Sequence, residues 1–350
     1  MTQGRERAIC PISRRARSWP KLCRVARPAG CGAVAQLVAH LHGMEGVRGS
    51  NPLSSTHLCL SGQHIMPRLT TRSPTRDPGV FRALGRVTRV ITILGVDVDA
   101  GLVDRWRSWY CPSQQPFDVS RLSAEQRAHV PEGHSIELSP EVRDTFFVYS
   151  PGWRILNRAE YLAVPPDVRR ALAKTRDRSL GAVRWPEDMV SGDDRAMIRY
   201  IEDGVFASRH RDVSESTWAS AEQQLPEARR LAGTFASRSG PNCFGTVMGA
   251  AGVTGAEDEW MFQEPFEKWL AEVCAPTSRG HDDEPGVVLV WRDRDGLAVH
   301  AAVTLGEGWA LNKPSQAWCS PRFVWPVKTT VLHSRRPGAS VFRYRLTHPY

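Results

Sequence analysis

The chain has 350 residues, of which 41% are hydrophobic, and its formal net charge at pH 7 is +9. This length and composition suffice for one or two domains with a buried core. No apolar run approaches the roughly 18 residues that a membrane-spanning helix needs, so a membrane protein is not expected.

The positive charge is concentrated at the start of the chain. Residues 1–90 hold 15 Lys and Arg against three acids, a balance of +12, so residues 91–350 carry 9 − 12 = −3. A basic protein would ordinarily suggest a nucleic-acid partner. Because the remainder is mildly acidic, a nucleic-acid-binding function depends wholly on the first segment, and we expect no nucleic-acid partner.

Residues 1–85 are expected to be a disordered, spurious extension. Arginines are scattered there among prolines and cysteines without a sustained period. Within residues 31–58, the runs Ala33-Val34-Ala35-Gln36-Leu37-Val38 and Gly49-Ser50-Asn51-Pro52 resemble phrases produced when a transfer RNA gene is translated in frame. We expect translation to start at Met66 or later and exclude the segment from fold reasoning. The alternative is a basic arm that binds nucleic acid or a membrane surface.

Residues 86–212 are predicted to form a mostly helical region of unknown function. The predicted elements are a capped helix after Ser123, helices over Asp167–Lys174 and Asp193–Glu202, and a strand over Thr145–Tyr149. The titratable residues His134, Asp144 and His210 are isolated in this region. A solvated or capping role is therefore expected for them rather than a catalytic one.

A cysteine at the start of a helix dominates the last region, residues 213–350. Asn242 follows a Ser/Gly/Pro loop and is a good N-cap residue, so Cys243 falls in the first turn of a helix that ends at Gly252. Unpaired N–H groups and the helix dipole favour a thiolate there, and the same N–H groups suit an oxyanion. The alternative is an inert, buried cysteine.

Downstream, the sequence predicts a strand that carries a histidine. A short β-rich run, Val287–Trp291, and a turn precede an alternating segment, Leu297–Leu305. The alternation places His300 away from the Val and Leu face, next to alanines that leave room over the imidazole.

The run Gly306-Glu307-Gly308 suits a three-residue hairpin loop after that strand. The predicted cross-strand pairs are Leu305 with Trp309 and Ala302 with Asn312. Asn312 would then be a diagonal neighbour of His300 on the same face. Its amide oxygen would accept from one ring nitrogen and aim the other at a thiolate.

Cys243, His300 and Asn312, in this order, resemble the catalytic residues of the NlpC/P60 family of papain-like cysteine peptidases and amidases. The family's histidine strand reads roughly His-x-x-x-x-Leu-Gly, and here it is His300-Ala301-Ala302-Val303-Thr304-Leu305-Gly306. The resemblance covers about residues 236–330. Two positions differ, because the family usually has aspartate before the cysteine and a small residue after it, whereas this chain has Asn242 and Phe244.

The resemblance implies an α+β fold in which residues 213–350 form a papain-like module, with the cysteine helix packed on an antiparallel sheet. It implies a thiol hydrolase that cleaves an amide bond, peptide or isopeptide, through an acyl-enzyme on Cys243, with a peptide-like substrate as partner. The alternative is a catalytically inactive papain-like binding module, which the bulky Phe244 favours. A basic nucleic-acid-binding protein is the remaining alternative.

No cofactor or metal is expected. The sequence lacks phosphate-binding, dinucleotide-binding, nucleophile-elbow and HExxH motifs. Outside the first segment its cysteines are widely spaced, without a CxxC pair; they are Cys111, Cys243, Cys274 and Cys319. A disulfide framework is not expected in so long a chain, and a reducing, cytoplasmic compartment is the simplest expectation.

Overall fold

The computed structural model describes residues 90–133, 137–190 and 192–347. The predicted extension, the predicted start at Met66 and His134 lie outside the described residues. Over the described part, the chain is a mixed α+β protein, as predicted.

Helices occur in both halves of the described chain. They are α1 (Ala100–Tyr110), α2 (Ala124–Ala128), α3 (Pro140–Phe146), α4 (Arg158–Ala163), α5 (Pro166–Thr175), α6 (Arg195–Glu202), α7 (Glu215–Ala221), α8 (Ala228–Leu231), α9 (Cys243–Ala250), α10 (Gln263–Val273) and α11 (Val327–His333). The strands are β1 (Ile91–Ile93), β2 (Val96–Val98), β3 (Gln114–Asp118), β4 (Trp153–Asn157), β5 (Cys274–Pro276), β6 (Pro285–Arg292), β7 (Ala298–Gly306), β8 (Trp309–Asn312), β9 (Phe323–Pro326) and β10 (Ser340–Leu346).

The central feature is a six-stranded antiparallel sheet with the order β5-β10-β6-β7-β8-β9. The strand β10, which comes last along the chain, lies between β5 and β6. The four strands of the first half form two separate two-stranded sheets, β1 with β2 and β3 with β4.

Both faces of this sheet are covered. On one face, the helices α7, α9 and α10 share a core with side chains of the central strands, which include Val288, Val290, Ala301, Val303 and Leu305. On the other face, Val327 of α11 packs with the side chains that point the opposite way: Val287, Leu289, Trp291, Ala302 and Ala310. Burial on both sides explains why the predicted strand Val287–Trp291 is apolar throughout.

The first half of the described chain shares a core with the loop after β8 and with β9. The rings of Trp106 and Trp318 lie 5.4 Å apart between centroids, and those of Tyr200 and Trp318 lie 6.2 Å apart. Phe323 and Trp325 belong to the same cluster. The aromatic residues of this loop and strand therefore join the two halves by apolar packing.

One predicted element has the wrong type. The segment predicted as a strand over Thr145–Tyr149 begins instead within helix α3, which ends at Phe146. The hydroxyl of Ser139 accepts a hydrogen bond from the N–H of Val142 at 3.3 Å, and Pro140 occupies the first turn. This start signal outweighs the strand preference of the β-branched and aromatic residues that follow.

The hairpin register is confirmed at one of its two predicted pairs. Ala302 pairs with Asn312, but Trp309 pairs with Gly306 instead of Leu305, because the register shifts between Thr304 and Gly306. The loop residues Gly306, Glu307 and Gly308 all have positive φ angles, of 94°, 49° and 75°. The turn is therefore one residue tighter than predicted.

Candidate active site

Asn242 fixes the start of the cysteine helix through both ends of its amide. The side-chain oxygen accepts from the N–H of Gly245 at 3.1 Å, and Nδ2 donates to the carbonyl of Met261 at 2.8 Å. The predicted N-cap is therefore confirmed, and Cys243 is the first residue of the helix. This anchoring sets where the thiol points.

Glycines on one side of the helix admit a neighbouring backbone. A Cβ on Gly245 would lie 2.2 Å from the carbonyl oxygen of Ala256, and one on Gly249 would lie 2.8 Å from Cβ of Glu257. Only residues without a side chain fit at these two positions. The backbone that enters there holds the start of the helix against the rest of the core.

The thiol of Cys243 is nearly buried, and the residue is 8% exposed. Burial is the largest influence and raises the thiol pKa, while the N–H of Ala301, the charge of Arg336 and the N–H groups of the helix start all lower it. The helix terminus thus acts in the predicted direction, but burial reverses the net shift.

His300 and Asn312 form the predicted pair. His300 Nε2 and the amide oxygen of Asn312 are 2.9 Å apart, and both residues are 1% exposed. An amide oxygen only accepts, so Nε2 carries the proton and Nδ1 is the basic nitrogen of the neutral ring. Asn312 therefore sets both the tautomer and the orientation of the imidazole.

The space over the imidazole is smaller than predicted. Trp291 pairs with His300 across the sheet, and the two ring centroids are 4.9 Å apart. The sequence predicted an alanine-lined opening from the neighbours along β7. A large ring from the adjacent strand β6 occupies part of that space, and this pairing is not visible within β7 itself.

The thiol of Cys243 is near the residue of β7 that follows His300. The body of the cysteine helix packs on the face that carries Ala301, whereas His300 shares the opposite face with Trp291. The thiol, however, is influenced by the backbone N–H of Ala301. Strand N–H groups point along the sheet plane, so a group held there lies between the two faces. The thiol thus lies beside the N–H of Ala301, and the imidazole belongs to His300, the preceding residue of β7.

A buried lysine organises the loop after Asn312. Nζ of Lys313 donates to the carbonyls of Ser315 at 2.9 Å and Ser320 at 2.6 Å. Burial lowers the pKa of Lys313 to about 7, and the positive charge of Arg322 acts in the same direction. The ammonium group therefore holds both ends of the loop that follows the candidate catalytic asparagine.

Helix α3 of the first half anchors both loops of the candidate site. The backbone N–H of Ser239, in the loop before Cys243, donates to Glu141 at 3.2 Å. The hydroxyl of Ser239 accepts from the N–H of Trp318 at 3.2 Å, and the Trp318 indole donates to Thr145 at 2.9 Å. Residues 140–146 therefore hold the cysteine loop and the loop after Asn312 together.

Asp144, which the sequence suggested was isolated, is part of this anchor. One carboxylate oxygen accepts from Tyr149 and from Nε2 of Gln316, the latter at 3.3 Å. Burial raises the pKa of Asp144. The expected solvated or capping role is therefore wrong for this residue, because a helix was not foreseen at this point of the chain.

Arg336 is a charged neighbour of the thiol that sequence reasoning missed. Its positive charge lowers the thiol pKa of Cys243, and burial lowers the pKa of Arg336 itself. Its Nε and Nη1 are buried and have no hydrogen-bond partner among the residues that the structure describes. The residue lies between α11 and β10, beyond the segment that resembles the family.

The described residues contain no cluster of three or more His, Cys, Asp or Glu side chains that could hold a metal ion. All four cysteines in the described part are free thiols. Among the helices that the structure describes, none is long and apolar enough to cross a membrane.

Comparisons with protein-family models, with curated proteins and with solved structures found no match for this chain.

Proposed function

We propose that the protein is a thiol hydrolase of the papain-like, NlpC/P60-like kind, acting on an amide bond of a peptide-like substrate. The observation that carries the proposal is the 2.9 Å contact between His300 and Asn312 beside the backbone segment that faces the Cys243 thiol. A nucleophile, a base and a residue that orients the base are the parts that such chemistry needs.

In the proposed mechanism, His300 takes the thiol proton at Nδ1 as the sulfur of Cys243 attacks the substrate carbonyl carbon. The oxygen of the tetrahedral intermediate receives hydrogen bonds from N–H groups at the start of α9, the Cys243 N–H among them. The imidazolium then protonates the leaving amine as the C–N bond breaks. Water, deprotonated by His300, cleaves the resulting thioester and regenerates the thiol.

Reaction with an activated ester tests this function without a known substrate. A p-nitrophenyl ester should acylate Cys243 with release of p-nitrophenolate, and mass spectrometry should locate the adduct on this residue. Cys243→Ser should abolish the adduct, and His300→Ala should slow its formation by about 100-fold or more. Cys274→Ser, which removes a half-buried thiol elsewhere, is the matched control and should change nothing. An adduct that persists in Cys243→Ser would overturn the proposal.

A second candidate function is a binding module that keeps the fold without catalysis. The burial that raises the pKa of Cys243 and the 1% exposure of His300 favour it. The pH profile of Cys243 alkylation separates the two functions. A midpoint below the ordinary cysteine pKa of about 8.5 supports the hydrolase. A midpoint at or above that value, with no effect of His300→Ala, supports the binding module.

A further inference from the structure

Helix α3 presents three polar side chains on one buried face. Glu141, Asp144 and Thr145 are spaced i, i+3 and i+4, so they share one side of the helix. Their exposed fractions are 8%, 6% and 0%. Burial of two carboxyl groups costs free energy, and apolar side chains would join the two halves of the chain without that cost. A role beyond packing is therefore needed to explain these polar groups.

The first of these side chains holds the loop before the candidate nucleophile. Oε1 of Glu141 accepts a hydrogen bond from the backbone N–H of Ser239 at 3.2 Å, and both residues are buried. Ser239 comes four residues before Cys243. A carboxylate is a stronger acceptor than a neutral group, and its hydrogen bonds are directional. Glu141 therefore fixes the position of the chain that leads into the cysteine helix.

The other two side chains hold the loop that follows Asn312. Oδ1 of Asp144 accepts from Nε2 of Gln316 at 3.3 Å, and Oγ1 of Thr145 accepts from the Trp318 indole at 2.9 Å. One face of one helix therefore holds the loop next to the nucleophile and also the loop next to the residue that orients the base.

The two loops are also bonded to each other. The N–H of Gly240 donates to the carbonyl of Gln316 at 3.0 Å, and the N–H of Trp318 donates to the hydroxyl of Ser239 at 3.2 Å. Helix α3 and the two loops thus form a closed set of hydrogen bonds, in which each part is bonded to the other two. A shift of α3 would move both loops, and therefore the cysteine helix relative to β8.

Helix α3 is itself fixed at both ends. The hydroxyl of Ser139 caps its start. Phe147, directly after its end, has a φ angle of 57°, a left-handed conformation that is uncommon for a bulky residue. This turn allows the hydroxyl of Tyr149 to donate to the carboxylate of Asp144. A well-fixed element suits the placement of reacting groups, whose geometry must hold to within about 0.5 Å.

We propose that Glu141 is a positioning residue of the hydrolase, and that helix α3 sets the approach of the Cys243 thiol to the His300 imidazole. The inference rests on the proposed thiol-hydrolase function of Cys243. The first half of the described chain is then part of the catalytic unit. Glu141 acts without touching the substrate, because its effect passes through Ser239 to the start of α9.

A double-mutant cycle with His300 tests this inference. The full-length protein is mixed with p-nitrophenyl acetate, and the rate of acetylation of Cys243 is followed by mass spectrometry. Glu141→Ala should slow this step by about 10- to 100-fold, the loss expected when a reacting group is misplaced by about 1 Å. In the His300→Ala background, the same substitution should have little further effect, because the approach to the imidazole matters only while the imidazole is present. A purely structural role would change the rate by the same factor in both backgrounds.

Further variants separate positioning from other effects. Glu141→Gln keeps an oxygen acceptor of the same length and should recover most of the wild-type rate. Thr145→Val removes a second acceptor from the same helix face at nearly constant shape, and should slow acetylation with the same dependence on His300. Glu202→Ala is the matched control, because Glu202 also accepts a backbone N–H, from Leu94 at 3.3 Å, and it should leave the rate unchanged.

Failure of this inference and failure of the proposed function give different results. If Glu141→Ala leaves the acetylation rate unchanged, or slows it equally with and without His300, the positioning role is wrong and the hydrolase proposal stands. If His300→Ala alone has no effect on the rate, the proposed function fails and the positioning role fails with it. Thermal unfolding shows whether each variant is folded. If Glu141→Ala does not fold, Thr145→Val in the two backgrounds decides in the same way.

Discussion

Lys313 shows how one buried cation can couple the candidate site to pH. Its ammonium group is fully buried, and its known hydrogen bonds go to backbone carbonyls of its own loop. Carbonyl dipoles stabilise a charge less well than a carboxylate or water, which is why burial lowers its pKa to about 7. The loop it holds begins directly after Asn312.

This burial predicts a dependence of stability on pH. The pKa of Lys313 is lower in the folded protein than its ordinary value of 10.5, so the unfolded chain binds more protons between these two values. The free energy of unfolding should therefore rise with pH above about 7, by up to about 1.4 kcal/mol per pH unit. Below about pH 7, the cost of burying the charged Lys313 ammonium group is fully present.

Urea denaturation at several pH values from about 7 to about 8, below the ordinary cysteine pKa of about 8.5, measures this slope. Lys313→Met removes the ionisable group at similar length and should flatten the slope. Lys174→Met, on an exposed position of helix α5, should leave the slope as it is in the wild type. Equal slopes in the wild type and in Lys313→Met would contradict the assignment.

At the scale of the element, the cysteine helix depends on close backbone contact. Alanine is ordinarily favoured over glycine inside a helix by about 1 kcal/mol. At Gly245, however, the added Cβ would lie 2.2 Å from a backbone oxygen of Ala256, and backbone cannot move aside cheaply. The steric cost of this clash should exceed the gain from the higher helix propensity of alanine.

Gly245→Ala is therefore expected to lower the free energy of unfolding by about 1–3 kcal/mol. It should also slow the alkylation of Cys243, because the start of the helix must shift. Gly280→Ala is the matched control, since its Cβ would meet only the Ser278 hydroxyl, at 3.8 Å. Denaturation midpoints of the two variants measure the difference. A Gly245→Ala protein as stable as the wild type would show that the Ala256 backbone can move at little cost in free energy.

Short sequence patterns predicted the features of the site that form between residues close along the chain. They did not predict the features that depend on which strands are neighbours in the sheet. The N-cap at Asn242 and the pairing of Ala302 with Asn312 follow from residues that are close along the chain, and both were predicted. The Trp291 ring beside His300 depends on which strand lies next to β7. The position of Arg336 depends on where α11 and β10 lie against the sheet, and no short sequence pattern encodes this placement.

At the scale of the molecule, the two halves of the described chain stabilise each other. Trp318, Phe323 and Trp325 follow the candidate site along the chain but pack against residues of the first half, such as Trp106. Helix α3 adds hydrogen bonds to the loops on both sides of the site. The region without a recognised motif thus supports the region that carries the candidate site.

A fragment of residues 213–350 should accordingly fold poorly by itself. Loss of the contacts around one buried tryptophan typically costs about 3–5 kcal/mol, a large part of the stability of a domain. We expect the fragment to lack a cooperative thermal transition, and a chain of residues 90–350 to retain the transition of the full-length protein. Circular dichroism of the three proteins measures this. A fragment that melts at the wild-type temperature would show that the second half folds independently.

The position of β10 inside the sheet bears on how the protein is made. Among the strands that the structure describes, β5 pairs only with β10, and β10 also pairs with the second edge of β6. While a ribosome is still producing residues 277–339, β5 has no partner strand. One edge of β6 also stays unpaired once that strand has been made. The hairpin of β6 and β7 can form early, but the sheet is complete only after residues 340–346 have left the exit tunnel. Assembly of this sheet is in that sense a late event of translation, and until then the unpaired strand edges are sites where another chain can pair.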